Sequence, residues 1–318
     1  MGKLKFSLEQ YQEAAVTYRS DLLMLPIVGL TEILPFVTSR PGVRYSERVG
    51  DITGEAQFAP YDPANVTEFD LSLNFRELRT YFGSVVANFE PNSAIGTLLG
   101  QGATKGDGQM SVPTALHVLA LIAKSLSHKL NMAIWSAVRN PKGNTTQDLF
   151  DGYDTITEKE IADGNISAAN RNLLQLDAPV TPANAVSVAK KILRAMDPEL
   201  RGQQCYLYCT QDFLDDYNEG YQMLHGALPY NTEYGKTTVE GSDGRLVFCP
   251  LQSKAGSKFF HVSTKANMLI GYDQMGDEEN VMVKEYKPFI LSYIATMFFG
   301  VQFESIDPRR LLVVGLAA

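Results

Sequence analysis

The residues of this chain that could carry chemistry are few and widely spaced. It has three cysteines, and Cys205 and Cys209 would lie on the same face of one predicted strand. A structural zinc site needs four ligands, usually with paired thiolates on a turn, and the third cysteine, Cys249, stands alone. The cysteines are therefore predicted to be core residues of a protein from a reducing compartment, and no metal or other cofactor is expected. The four histidines also stand singly, at His117, His128, His225 and His261.

Other candidate motifs fall short of a catalytic or nucleotide-binding site. The Gly-x-Ser-x-Gly elbow of serine hydrolases does not occur. The glycine-rich residues 96–108 lack the spacing of a dinucleotide loop and the Gly-Lys order of a P-loop, so we interpret them as a hinge. The carboxylates at 215–216 and 277–279 lie beside helix or turn signals, where a solvated charged face explains them. The sequence predicts no enzyme; a cytoplasmic enzyme with a dispersed site is the alternative of another class.

Charge and hydropathy argue against two further classes of function. The formal net charge of −8 is the wrong sign for a protein that grips nucleic-acid phosphates. The N-terminal segment carries Glu9 and Glu13 where a signal peptide would be apolar. The richest apolar run, residues 22–30, is interrupted by Pro26 and is too short to span a bilayer. No membrane segment is expected.

A long helix predicted at residues 112–139 is the element around which the other segments must pack. Its apolar residues recur at alternating steps of three and four, which places them on one face of the helix. They are Leu116, Leu119, Ala123, Leu126, Leu130, Ala133 and Ala137. The opposite face is mixed, and it carries Lys124, His128, Asn131 and Trp135.

A long two-stranded hairpin is predicted before this helix. Apolar and polar side chains alternate over residues 68–76, which is typical of a strand with one buried face. Residues 44–59 form the partner strand, and Pro60, Asp62, Pro63 and Asn65 supply the turn between them. An isolated hairpin is marginally stable in water, so this one should lie against another surface, such as the next subunit of an oligomer.

The remaining segments predict an α+β protein. A capping box at Ser7 opens a helix to about residue 19, and residues 21–43 form an irregular strap over the chain's own core or over a neighbouring subunit. A second capping box at Thr157 opens a helix to about Gly164, and Pro182 begins a third helix. Thr210 caps a fourth. Strands are predicted at residues 204–209, 246–249, 258–262, 268–272, 281–286, 289–303 and 311–315.

In this order, the parts resemble the major capsid proteins of tailed bacteriophages, which have the Hong Kong 97 type of fold. The resemblance covers nearly the whole chain. It is carried by residues 73–100, LNFRELRTYFGSVVANFEPNSAIGTLLG, and by the strand-rich residues 259–316, FFHVSTKANMLIGYDQMGDEENVMVKEYKPFILSYIATMFFGVQFESIDPRRLLVVGL. It implies an N-terminal arm at 1–43, an extended β-hairpin loop at 44–88, a peripheral domain with the long spine helix at 89–180 and 273–305, and an α/β axial domain at 181–272 and 306–318.

The resemblance also implies a function. The chain would be a structural protein of the virion that self-assembles into hexamers and pentamers in the cytoplasm of a bacterial host. These would form an icosahedral or prolate head enclosing double-stranded DNA without sequence-specific binding. Portal, scaffolding and decoration proteins would be its other partners, the scaffold being a separate protein or already removed. An encapsulin-like compartment shell is the alternative that keeps the same fold.

Three sets of contact residues follow from the resemblance. The extended loop would contact a neighbouring subunit through Arg44, Glu47, Arg48, Asp51, Glu55, Arg76 and Arg79. The second set is the mixed face of the spine helix, with Lys124, His128, Asn131 and Trp135. The third is a loop at the capsomer axis, with Tyr221, His225, Tyr230 and Tyr234. Some family members crosslink an extended-loop lysine to a neighbour's asparagine, but this chain has no lysine between Lys5 and Lys105, so a noncovalent shell is predicted.

Overall fold

The computed structural model describes residues 8–54, 71–90, 112–226, 238–273, 281–288 and 290–317. The helices are α1 Leu8–Thr17, α2 Arg19–Val28, α3 Val112–Ser136, α4 Tyr153–Ala162, α5 Ala185–Ala195, α6 Pro198–Gly202 and α7 Gln211–His225. The strands are β1 Thr38–Pro41, β2 Ser46–Gly54, β3 Leu71–Arg79, β4 Tyr81–Phe89, β5 Leu173–Gln175, β6 Cys205–Cys209, β7 Leu246–Pro250, β8 Phe259–Ser263, β9 Met268–Asp273, β10 Val281–Lys287, β11 Ile290–Phe303 and β12 Leu311–Gly315. The predicted α+β class is confirmed.

The first sheet has five strands and is built around the 14-residue strand β11. Strand β4 lies antiparallel along one edge of β11, with Leu291 opposite Phe89 and Phe299 opposite Tyr81. The other edge of β11 is shared by β10 and β9, and β1 adds in parallel to β9. Helices α1 and α2 pack on α3, which places the long helix between the N-terminal helices and the rest of the core.

The second sheet has five strands in the order β5-β12-β8-β6-β7. All five residues of β12 are buried, as expected for a strand covered on both faces. Side chains of β6 alternate between two cores: Cys205, Leu207 and Cys209 face helices α5 and α7, whereas Tyr208 faces α3 and the first sheet. The two sheets are therefore joined through a continuous apolar interior.

The predicted hairpin is present as the antiparallel pair β2 and β3, with Ser46 opposite Arg79 and Gly54 opposite Leu71. The sequence interpretation carried the extended loop on to residue 88. The structure instead places residues 81–89 in the first sheet, because alternate side chains of β4, including Tyr81, Val85 and Phe89, pack into the chain's own core. The projecting pair thus ends at Arg79.

The long helix is also found, but the first part of the predicted irregular strap, residues 21–28, belongs to helix α2. Helix α3 ends three residues before the predicted end, and Pro26 lies inside α2. Ile27, Leu30 and Ile33 are buried against α3 and the sheets, so the strap covers the chain's own core. Of the two alternatives that the sequence left open, the structure therefore favours a strap over the chain's own core.

Two predicted helix starts are wrong. Helix α4 begins at Tyr153 after the N-cap residue Gly152, so Thr157 lies inside the helix, where its hydroxyl donates to the Tyr153 carbonyl at 2.8 Å. Helix α5 begins at Ala185. Residues 181–184 form a turn in which the Asn184 side chain accepts the Thr181 N–H at 2.8 Å.

Across the described ranges, no helix combines the length and the apolar character needed to cross a membrane. The longest, α3, carries Lys124, His128 and Lys129 on its exposed surface.

Candidate functional site

A buried polar cluster lies between helix α4 and the segment that leads into β8. The ammonium group of Lys254 donates hydrogen bonds to Asp154 Oδ1 at 3.2 Å and to Ser257 Oγ at 3.0 Å. It also donates to the carbonyl oxygen of Phe259 at 2.6 Å. Its Nζ lies 4.0 Å from the centre of the Trp135 ring. All three N–H donors of this lysine are therefore satisfied inside the protein.

His261, on strand β8, completes the cluster. Its Nδ1 lies 3.8 Å from Asp154 Oδ1, and its Nε2 lies 2.9 Å from Thr157 Oγ1. Because the Thr157 hydroxyl already donates its proton to Tyr153, Nε2–H must be the donor between the ring and this hydroxyl. Burial first, and then the positive charge of Lys254, lower the pKa of His261 well below its usual value. The ring is therefore neutral.

The cluster is sealed from solvent, which decides what it can do. Burial lowers the pKa of Lys254, and the Asp154 carboxylate offsets part of that effect. Lys254 and His261 are both fully buried, so no substrate can reach them. We interpret the cluster as a structural tie between α4 and the second sheet. Sequence reasoning missed it because Asp154 and Lys254 are 100 residues apart and neither stands in a local motif.

The three cysteines are buried, and their prediction as core residues is confirmed. Burial raises the pKa of Cys205 and Cys209 to about 12, and that of Cys249 is raised as well. At neutral pH these thiols are protonated, which makes them poor nucleophiles and poor metal ligands. Within the described parts of the chain, no group of three or more metal-ligating side chains comes together.

Two of the hairpin charges predicted to contact a neighbour are used within the chain. Arg76 donates to Glu160 at 2.6 Å and to Gln302 at 3.1 Å. Arg44 donates to the buried carboxylate of Asp273. These two arginines tether the base of the hairpin to α4 and to the first sheet, and their contacts with a neighbouring subunit stay a prediction. The base forms a small apolar core of its own from Val43, Val49, Leu78 and Leu269.

The other described hairpin charges point outward. Arg79 is 63% exposed and pairs at 2.7 Å with Glu77, which lies opposite the exposed Arg48. Glu47 lies 3.8 Å from Arg40 in a second exposed pair. Asp51 belongs to β2, but its side chain, like all of Glu55, lies outside the described residues.

The mixed face of α3 also has both exposed and buried residues. Lys124 and His128 are exposed on the wall of an open groove of about 1070 Å³, which α2 and residues 250–255 also line. Asn131 lies at the base of this groove and donates to Glu32. Its Oδ1 and the hydroxyl of Ser127 are buried and have no hydrogen-bond partner in the described protein.

Trp135 is not on a free surface. Only 1% of it is exposed, and its ring packs against Tyr153, Tyr208 and His261 at centroid distances of 5.1, 5.8 and 5.4 Å. The prediction that Trp135 contacts a neighbouring subunit is therefore wrong. Trp135 shares a helix face with Asn131, but at this end of the helix Tyr208 and His261 cover that face.

The predicted axis loop lies mostly outside the described residues. Tyr221 is half-buried on α7, with its ring 6.4 Å from that of Tyr217. His225 is the last residue of α7, although its side chain is not described. Tyr230 and Tyr234 fall outside the described ranges, so their contacts stay a prediction.

An exposed apolar strip on the first sheet was not predicted from the sequence. Tyr45 and Phe82 each pack against Phe298 at 5.2 Å, yet they are 71% and 56% exposed. Val86, four residues after Phe82 on the same face of β4, is also exposed. We call Tyr45, Phe82, Val86 and Phe298 the outer apolar strip. Large exposed apolar groups of this kind mark interaction surfaces, and the alternation along β4 was the signal that could have revealed them.

Comparison with known proteins rests on structure. No protein-family model and no curated protein sequence matches the chain. A chain from the procapsid of satellite phage P4, which includes the size-determination protein Sid, superimposes with a TM-score of 0.61 and 13% identity, over 93% of this chain and 90% of that one. A chain from the capsid of an empty GTA particle gives 0.57 and 12%, over 91% and 90%. The chain has the Hong Kong 97-type capsid fold.

This fold also includes compartment shells. The encapsulin of the holo-SrpI complex from Synechococcus elongatus matches with a TM-score of 0.52 and 11% identity, over 89% of this chain and 86% of that one. At these identities the common property is the Hong Kong 97-type fold. The choice among functions must come from surfaces and from experiment.

Proposed function

We propose that this chain is a structural, non-enzymatic capsid protein that self-assembles into the shell of a tailed bacteriophage or a related DNA-packaging particle. The observation that carries the proposal is the superposition on the procapsid chain of satellite phage P4, which extends over 93% of this chain and 90% of the other. The match therefore involves almost the whole length of both chains.

The surface of the chain supports assembly with other copies. The hairpin β2–β3 has its base tied down by Arg44 and Arg76, while Arg48, Glu77 and Arg79 stay exposed on it. Charges of this kind set the register between partners more than they add affinity. The outer apolar strip supplies the apolar area that a stable contact needs. A neighbouring subunit would cover both.

The parts of the chain take the roles that the fold suggests. In this proposal residues 1–43 are the arm, 44–79 the extended loop, 80–180 with 273–305 the peripheral domain, and 181–272 with 306–318 the axial domain. Hexamers and pentamers would build the head, with portal, scaffolding and decoration proteins as partners. The net charge of −8 suits a shell that encloses DNA without gripping it.

Electron microscopy of the purified protein tests this proposal. We expect closed particles or ring-shaped capsomers, and assembly should increase with protein concentration. Analytical ultracentrifugation over the same range gives an independent measure of size. A monomer or dimer that persists at high concentration, with native far-ultraviolet circular dichroism, would contradict the proposal.

An encapsulin-like shell is the second candidate, favoured by the match to the encapsulin of the holo-SrpI complex. The two candidates differ in what the particle contains. Particles purified after nuclease treatment of the outside should hold protected double-stranded DNA if the chain is a phage capsid protein. Particles that hold a single protein species and no DNA would favour a compartment shell.

A further inference from the structure

An arginine-rich depression lies at one end of the second sheet. It has a volume of about 460 Å³ and is formed by the end of α5, by α6 and by the turn before β7. Its lining residues are Arg194, Met196, Pro198, Arg201, Gly202, Asp243 and Arg245. We call this the arginine depression. It gathers three guanidinium groups against one carboxylate in a chain whose net charge is negative.

The three arginines of this depression have no ion-pair partner among the described residues. All three are exposed, and no carboxylate in the described ranges lies within ion-pairing distance of any of them. Arg194 and Arg201 each lie in the last turn of a helix, where a single positive charge is favoured by the helix dipole. That effect does not explain why a third arginine, Arg245, converges on the same depression from a turn. Guanidinium groups clustered in this way are suited to carboxylates or phosphates.

Helix α7 presents the opposite charge. It carries four carboxylates and no lysine or arginine. Asp212, Asp216 and Glu219 share one face at helical spacing, and Asp215 lies at its edge. We call these four residues the acidic face. Partial burial first, and then the neighbouring carboxylates, raise the pKa of Asp216. In the described chain no cation offsets this repulsion.

The acidic face also continues into an exposed apolar side chain. Met223 follows Glu219 by one helical turn on the same face and is 65% exposed. The arginine depression has apolar groups of its own, because Met196 and Pro198 lie among the arginines. Charges around an apolar centre are the usual make-up of a protein–protein contact. The two surfaces thus match in charge and in polarity.

We propose that the arginine depression of one subunit receives the acidic face of helix α7 from the next copy of this chain. The inference rests on the proposed function and specifies one contact within a capsomer. The two surfaces differ from one another, so the contact is head-to-tail, and such contacts close into rings when the rotation allows. Complementary charge favours a second copy over nucleic acid, because the carboxylates that the depression needs are present on the same chain and form no ion pair among the described residues.

Charge reversal gives a direct test. In one variant the depression is reversed by Arg194→Glu, Arg201→Glu and Arg245→Glu, and in a second the acidic face is reversed by Asp212→Lys, Asp216→Lys and Glu219→Lys. Each variant alone should lose assembly by at least about tenfold at fixed protein concentration, because like charges then face one another. A third variant carrying all six changes should recover assembly. Thermal unfolding checks that each variant folds.

Mixing the two single-surface variants makes the test sharper. In a mixture, every productive contact joins one variant to the other, so subunits must alternate around a ring. Rings with an even number of subunits can close, whereas rings with an odd number cannot. The mixture should therefore form hexamers without pentamers, and so open sheets or tubes in place of closed shells. The six-change variant should form both rings.

The controls separate this inference from the proposed function. A control variant with Lys142→Glu, Arg171→Glu and Lys265→Glu reverses three exposed cations away from both surfaces and should assemble normally. If the wild type assembles and both single-surface variants assemble equally well, the inference is wrong and the proposed function stands. It is also wrong if both fail and neither the six-change variant nor the mixture recovers. If the variant with the reversed depression assembles into particles that contain no DNA, the depression binds phosphate groups and not the acidic face, and the inference is wrong. A wild type that never assembles overturns both proposals.

Discussion

Lys254 shows how this chain holds a charge inside its core. The ammonium group has three hydrogen-bond acceptors and an aromatic face beside it, and its partner Asp154 is fixed on α4. A buried pair of this kind adds little net stability when complete. Removing one partner is costly, because it leaves the other charge buried without compensation.

Replacement of Lys254 should therefore be strongly destabilising. We expect Lys254→Met to lower the free energy of unfolding by about 3–5 kcal/mol, measured by urea denaturation of unassembled protein. The matched control is Lys191→Met, which removes an exposed pair with Asp177 and should leave the urea midpoint unchanged. A double variant, Lys254→Met with Asp154→Leu, should recover much of the loss. Equal effects of the two lysine changes would contradict the structural role of the cluster.

His261 should make folding sensitive to mild acid. Its pKa is lowered in the folded chain, whereas in the unfolded chain it returns to about 6.5. Below that pH the unfolded chain binds a proton that the folded chain does not, so stability falls as the pH drops. His261→Gln should reduce the fall in melting temperature between about pH 7 and pH 5. Replacing the exposed His128 by Gln should leave this fall in melting temperature the same as in the wild type. If His261→Gln also leaves the fall unchanged, the prediction is wrong.

The sequence could not reveal this cluster, and the reason is physical. Asp154, Lys254 and His261 become neighbours only when α4 packs on the second sheet, and each looks locally like an ordinary surface or turn residue. Trp135 was misplaced for a related reason. Its helical position relative to Lys124 and His128 was read correctly, but the burial of that position depends on Tyr208 and His261 from distant strands.

Two arginines of the hairpin are expected to have different roles. Arg76 should stabilise the folded chain, whereas Arg79 should contact a neighbouring subunit. The Arg76 and Glu160 side chains are 15% and 16% exposed, whereas Arg79 stands in solvent. Arg76→Ala should cost about 1.5–3 kcal/mol in unfolding free energy, as expected for a shielded bond between charged groups. Arg79→Ala should leave unfolding unchanged and reduce particle yield. A loss of stability from Arg79→Ala, or none from Arg76→Ala, would reverse the assignment of the two arginines.

Two residues of the long helix α3, the buried Trp135 and the exposed Lys124, should also respond differently to substitution. Trp135→Ala should cost about 3–5 kcal/mol by opening a cavity between the two sheets, which can be measured by thermal or urea unfolding. Lys124→Glu changes an exposed side chain and should leave unfolding unchanged. If the groove beside Lys124 is an interface, that charge reversal should impair assembly. Normal assembly of a folded Lys124→Glu variant would remove this face from the set of contacts.

Most elements were predictable because their patterns are local. Strands β6, β9 and β12 are short buried runs between turn signals, and Thr210 caps α7 as predicted, with its hydroxyl accepting from the Phe213 N–H at 3.3 Å. The start of α4 was not predictable. Gly152 precedes that helix, and a side chain there would strike the Trp135 carbonyl oxygen at 2.3 Å. A contact between distant segments therefore set the boundary, in place of the capping box at Thr157.

The whole particle should be held together without covalent bonds between subunits. No lysine lies between Lys5 and Lys105, so the hairpin has no amine for an isopeptide bond. Particles boiled in detergent should run as monomers on an electrophoresis gel. Particles treated first with an amine-reactive crosslinker provide the positive control. A ladder of multimers from untreated particles would contradict the prediction.

Each sheet is completed by a strand far along the chain, the first by β11 and the second by β12. Strand β1 pairs with β9, β4 with β11 and β5 with β12, so each early strand waits for a partner far along the sequence. Pairings of such long range form late in folding. In a growing chain, the outer apolar strip cannot form until β11 has been made, and the second sheet cannot form until β12 has been made. If the chain builds a shell as proposed, a subunit that still lacks β11 and β12 is not competent to join it, so assembly must follow the synthesis of these two strands.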